Sequence, residues 1–250
     1  MIPYKDDNPT RTFPLITILL IVINAVVWGY YRMQGDLIYE RAVFEFGMIP
    51  YEVLNHVQLP FKNFAGQYLH YYGQLPAYPV AVPPYLTIFT SMFMHGGLAH
   101  LAGNMLYLWI FGNNIEDYLG HIRYIFFYLL CGVAAAATHL FFNAGSQIPT
   151  VGASGAISGI LAAYLLLYPS ARVHVLVPIF FFFTTFTVPA ALMIVIWFVF
   201  QLLATMGSTA TGQVGVAYWA HVGGFALGLV WIFFRRIRYP PRRPLFKTKY

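Results

Sequence analysis

The chain has 250 residues, 59% of them hydrophobic and only 9% charged, with a mean hydropathy of +0.64. Soluble chains carry roughly 25% charged residues, so 14 Lys+Arg and 8 Asp+Glu are too few to coat a soluble globule, and the apolar content excludes disorder. One cysteine, Cys131, excludes an internal disulfide framework, and the net charge of +6 is no nucleic-acid face, because half of the basic residues lie in the last 16 positions.

A helix needs about 20 apolar residues to cross a hydrocarbon core of roughly 30 Å. In chain order, six stretches read as such spans: Phe13 to Tyr31, Leu86 to Phe111, Ile122 to Phe142, Ser154 to Tyr168, Val188 to Met206 and Tyr218 to Phe234. The expectation is an all-α polytopic membrane protein, a bundle of six transmembrane helices over residues 13–234. The apolar stretch of eleven residues from Val173 to Phe183, interrupted by Pro178, is too short to cross and reads as an interfacial or re-entrant segment. Residues 32–85 form one long outer loop, and residues 1–12 and 235–250 form two tails. With six spans both tails share a side, which then holds 11 basic residues against 3 on the other (Arg32, Arg41 and Lys62). The positive-inside rule places both termini in the cytoplasm and the chain in the cell membrane.

Strongly polar side chains inside spans are costly, so each is a candidate for function. Span two carries His95, His100 and Asn104, span three His139, span four Ser154 and Ser158, span five Gln201 and span six His221. His100 and Asn104 are four apart and share one helix face. Taken singly, each of these residues reads equally well as hydrogen-bonding glue between helices.

Span four opens Gly152-Ala153-Ser154-Gly155, and its small-residue pair Gly155 and Gly159 is by itself a helix-packing motif. The span is also short: fifteen residues rise about 22 Å, so Ser154 lies below the outer surface, at a helix start that an irregular segment must reach. Such backbone is tolerated at depth only beside protein or a wet cavity. In span six, Ala220, Gly224 and Gly228 repeat every four residues and make a flat face beside His221. If that face packs on span four, His221 can act as the base that a serine nucleophile requires. The eight acids lie in the N-terminal tail, the long loop or at the inner end of span two (Glu116, Asp117), which leaves a Ser–His pair with no carboxylate.

Three motifs on three spans, His95-x4-His100-x3-Asn104, Gly152-x-Ser154-Gly155 and His221-x2-Gly224-x3-Gly228, resemble the rhomboid family of intramembrane serine proteases. The likeness runs from about Leu86 to Val230. It implies an endopeptidase that cleaves transmembrane segments of membrane proteins within the lipid bilayer, without metal or other cofactor. By the resemblance Ser154 is the nucleophile, His221 the base, His100 and Asn104 the oxyanion site, and His95 a residue at the mouth of the site. Gly152, Gly155, Gly224 and Gly228 are supporting positions. Some members carry a tyrosine four residues after the serine, where this chain has Ser158. The competing readings are a non-catalytic rhomboid-like protein that binds membrane clients, a metal or haem protein using His95, His100, His139 and His221, and a transporter. Nothing points to nucleic acid, and the oligomeric state is not set by the sequence.

Overall fold

The computed structural model describes residues 2–60, 82–179, 182–211 and 217–239. Strand β1 (Ile2–Asp6) precedes helices α1 (Leu15–Met33), α2 (Asp36–Phe46) and α3 (Pro50–Asn55). Short helical turns around α4 (Thr87–Thr90) lead to α5 (Leu98–Tyr107), which continues through a π turn at Leu108–Gly112 into α6 (Asn113–Leu119). Then come α7 (His121–Phe142), α8 (Ser154–Leu167), strands β2 (Arg172–Ile179) and β3 (Phe182–Pro189), α9 (Ala190–Thr211) and α10 (Tyr218–Arg238).

The chain is thus mostly helical, with helical segments in all six expected places: α1, the α5–α6 run, α7, α8, α9 and α10. Among the described residues α1, α7 and α10 are by themselves long and apolar enough to cross a membrane, and α8 is a shorter apolar helix. The second segment is shifted from its expected bounds. Gly96 and Gly97 lower helix propensity, Met94 is extended (ψ 147°), and the helix begins only at Leu98. It runs on to Leu119 and stops at Gly120, whose φ of +76° favours glycine.

The stretch expected to be interfacial or re-entrant, Val173 to Phe183, is strand wherever it is described. The central strand β2 pairs antiparallel with β3 (Val175 opposite Phe186) and with β1 (Val175 opposite Pro3). Val173 and Val175 point into the core with 0% and 1% exposure, while His174 between them bonds Asp7 and Thr187, which is the period of two that a half-buried strand requires. Pro178 is tolerated because β1 reaches only as far as Leu176, so its missing N–H falls outside the β1 ladder. Part of the expected N-terminal tail is therefore a strand, and residues 240–250 of the C-terminal tail lie outside the described residues, as do 61–81 of the long loop with Lys62. The described part of that loop packs α2 on α1 through Tyr39, Ala42 and Val43 against Val27, Trp28 and Tyr31.

The sheet lies at the end of the bundle where α8 terminates, opposite Ser154. Asp6 accepts hydrogen bonds there from the Tyr164 hydroxyl (2.5 Å) and Asn114 Nδ2 (3.1 Å). Burial pushes the Asp6 carboxyl up to about 6, against the opposing effect of the Tyr164 bond. Glu116, 0% exposed, caps the start of α1 by accepting from Ile16 N–H, Thr17 N–H and the Thr17 hydroxyl at 2.7–2.8 Å. Asp117 takes Thr12 N–H (2.8 Å) and Arg11 N–H (3.1 Å). Glu116 thus sits where the partial positive charge of the start of α1 favours a carboxylate, and Asp117 fixes the residues just ahead of that helix.

The central contact is a glycine seam between α8 and α10. A Cβ on Gly224 would lie 1.9 Å from the Gly155 carbonyl oxygen, and one on Gly228 would lie 2.4 Å from that of Gly159. Only hydrogen fits at these positions, so the two backbones touch. On the α7 side Gly155 abuts Ala135 and Gly159 abuts Cys131. Large buried side chains surround the seam, among them Tyr124, Tyr128 and Phe127 of α7 and Ile160, Leu161 and Tyr164 of α8.

Candidate active site

Ser154 is the first residue of α8, half-buried at the wall of a cavity of about 1140 Å³. The irregular segment before it is held from several sides. Thr150 exchanges two backbone bonds with Met48 (2.8 and 3.0 Å), and its hydroxyl lies 3.0 Å from His139 Nε2. Gly152 N–H donates to the Ser91 carbonyl (2.9 Å), and Gly152 adopts φ +126°, which a side chain would strain. These bonds satisfy backbone polar groups that could not remain bare at depth.

The seam fixes the partner of Ser154. Gly224 meets Gly155, and His221 lies one turn earlier on α10, 7% exposed. Its Nε2 stands 2.8 Å from Ser154 Oγ, and its Nδ1 stands 2.7 Å from Gln201 Oε1 of α9. The Trp197 ring of α9 packs 5.8 Å from the imidazole. Ser158 makes no bond to the ring: its hydroxyl donates to the Ser154 carbonyl (2.7 Å).

His100 and Asn104 line the same cavity as Ser154 and His221. Gly96 N–H donates to His100 Nδ1 (3.4 Å), which assigns the ring proton to Nε2. A Cβ placed on Gly152 would sit 2.8 Å from His100 Nε2 and 3.6 Å from Asn104 Nδ2, so both nitrogens converge on the backbone two residues before the serine. Asn104 Nδ2 is buried and has no hydrogen-bond partner among the described residues. A buried donor without an acceptor is costly, and one beside a nucleophile can be satisfied by an oxyanion formed during reaction.

His95 lies elsewhere. It is 0% exposed, packed edge-on behind His100 (ring centroids 5.2 Å apart) and absent from the cavity wall. Its backbone carbonyl accepts from the Tyr39 hydroxyl of α2. It therefore packs behind His100 and not at the mouth, because the helix of His100 and Asn104 begins only after Gly96–Gly97.

Sequence alone did not point to three residues at the site: Trp197 and Glu40 on the cavity wall, and Gln201 bonded to His221 Nδ1. Gln201 stood out as polar, but the register between spans five and six was not readable, so nothing paired it with His221. Trp197 looked like one more aromatic in an apolar run. Glu40 on α2 lines the cavity, so one acid of the long loop does reach it. Among the described residues no group of three or more His, Cys, Asp or Glu side chains could hold a metal ion.

The family model described as Rhomboid domain matches residues 83–238. The chain is 32% identical over 183 residues to the mouse presenilin-associated rhomboid-like protein, mitochondrial, covering 72% of this chain and 45% of that one. It is 29% identical over 157 residues to the yeast rhomboid protein 1, mitochondrial (58% and 40%), and 39% identical over 85 residues to the rhomboid protease GluP of Bacillus subtilis (34% and 16%). The chain thus spans less than half the length of each of these relatives. The matched region contains all three polar motifs, and the chain belongs to the rhomboid family.

Proposed function

We propose that this chain is an intramembrane serine endopeptidase that cleaves transmembrane segments of membrane proteins through a Ser154–His221 dyad. The observation that carries the reading is the 2.8 Å approach of His221 Nε2 to Ser154 Oγ inside a cavity shared with two further donors. His221 Nε2 takes the hydroxyl proton as Ser154 Oγ attacks the scissile carbonyl, and returns it to the leaving amine. Water then attacks the acyl-enzyme with His221 again as base. His100 Nε2, Asn104 Nδ2 and the Ser154 backbone N–H donate to the oxyanion. The name of the Bacillus relative, a rhomboid protease, supports hydrolysis.

The same reading places both termini on the inner side of the bilayer, the side of the three-stranded sheet, because the basic residues Lys5, Arg11, Arg123, Arg172 and Arg235 cluster toward that end. The relatives divide between two mitochondrial names and a bacterial one, so their names select no single compartment for this chain. The test is cleavage of a model transmembrane substrate by the purified protein in liposomes. The wild type should cut, and Ser154→Ala and His221→Ala should not cut while melting at the wild-type temperature. Activity retained in Ser154→Ala refutes the nucleophile. A wild type that binds the substrate and never cuts it is the client-binding protein instead.

A further inference from the structure

We propose that Gln201 is the positioning residue of the dyad, its side-chain carbonyl holding the His221 ring in the tautomer that leaves Nε2 free to accept the Ser154 proton. The inference rests on the endopeptidase reading for its catalytic consequence and on geometry for everything else.

A neutral imidazole carries one N–H and one lone pair. Gln201 Oε1, 2.7 Å from Nδ1, can only accept, so the ring proton belongs on Nδ1 and the lone pair on Nε2, 2.8 Å from Ser154 Oγ. Without an acceptor at Nδ1 the ring has no reason to prefer this tautomer. The proton on Nε2 would point at the serine and block its deprotonation. A serine protease normally assigns this task to a buried carboxylate. Here an amide carbonyl does it without the desolvation cost of a buried charge.

Packing supports the assignment. Trp197 and Gln201 are four apart on α9 and so share one face, and that face meets His221, with the Trp197 ring 5.8 Å away. Phe198 stacks on Phe225 of α10 (4.0 Å, 18°), one turn below His221, and pins the two helices in register. The titratable groups facing His221 from the other elements are His100 of α5 and His139 of α7, with Glu40 of α2 on the same cavity wall. The charged side chains of α10 lie at its far end. Nothing else in the described structure is bonded to His221 Nδ1.

The first arm of the test compares Gln201→Met, which keeps the bulk and loses the acceptor, with Gln201→Glu, which keeps an oxygen at the same place. Gln201→Met should lower kcat about 10–100-fold, the scale on which losing an orienting bond to a functional histidine acts, with KM little changed, and Gln201→Glu should recover most of that loss. Unchanged kcat in Gln201→Met, or equal loss in both variants, overturns the proposal. The second arm needs no variant to fold except Ser154→Ala: nitrogen NMR of histidine-labelled wild-type protein, with the His221 signals read by their behaviour in Ser154→Ala. The His221 ring should show a protonated Nδ1 and an unprotonated Nε2, and the reverse tautomer overturns the proposal. If the wild type never cleaves, the endopeptidase reading fails while this NMR arm still decides the Gln201 bond. If cleavage depends on Ser154 and not on Gln201, only the present inference fails.

Discussion

Replacing Gly224 by alanine should perturb the proposed Ser154–His221 dyad without touching either residue. The added Cβ would stand 1.9 Å from the Gly155 carbonyl oxygen, where ordinary contact begins at 3.4 Å. Neither partner is a flexible side chain, so α8 and α10 must separate by about 1.5 Å at this level. Ser154 is the residue next to Gly155, and His221 is one turn from Gly224, so the Nε2–Oγ distance of 2.8 Å should open beyond hydrogen-bond reach. A misplacement of about 1 Å costs roughly 10²-fold in rate. Overpacking adds a stability loss of about 1–3 kcal/mol. Gly29→Ala on α1 is the control, because nothing lies within 4 Å of its Cβ position, and the change should leave activity alone and stabilise α1 by up to about 1 kcal/mol. The assay is kcat on a fluorogenic transmembrane peptide, normalised to folded protein by thermal melting. Gly224→Ala with near wild-type kcat per folded molecule would show that the seam does not set the dyad distance.

Asn104→Ala should lower kcat by up to 10²–10³-fold, roughly the cost of one oxyanion donor, with little change in Tm, since Asn104 Nδ2 has no partner among the described residues to lose; early melting with unchanged kcat would make it a packing residue. Glu116→Ala removes the acceptor from Ile16 N–H and Thr17 N–H, at about 1–3 kcal/mol per orphaned donor, and should unfold at lower temperature; an unchanged Tm would refute its role as the cap of α1. Asp6 is raised from 3.8 to about 6 in the fold, so the folded state binds the proton first and the protein should gain stability as pH falls from 7 through 6 toward 4. Asp6→Asn should flatten that slope in thermal melts, and equal slopes in both proteins would refute it.

The helical architecture was legible because apolar length is a strong signal, and the three polar motifs were legible because polar residues are rare in such runs. The strands were not. Leu176 stands at an outward position of β2 and interrupts the alternation that Val173, His174 and Val175 begin, so the stretch reads as an apolar run with one polar residue. The break at Gly96–Gly97 was hidden for a related reason: hydropathy stays high across it while the backbone turns, which moved His95 off the helix of His100. The Ser154–His221 approach could be anticipated from glycines spaced every four residues on two spans, since that spacing dictates backbone contact wherever two such faces meet. Gln201 had no comparable marker. A lone amide in a helix of Ile, Val and Phe announces a partner but not which one, and the pairing emerges only once Phe198 and Phe225 set the register of α9 on α10.

The most direct measurement is the site of reaction with a fluorophosphonate probe, mapped by mass spectrometry on the folded wild type and on His221→Ala. A serine activated by its neighbour should be labelled at Ser154 in the wild type, without any effect of a metal chelator, and should lose that labelling in His221→Ala. Labelling that falls on another residue, or that persists at Ser154 when His221 is gone, would contradict the dyad.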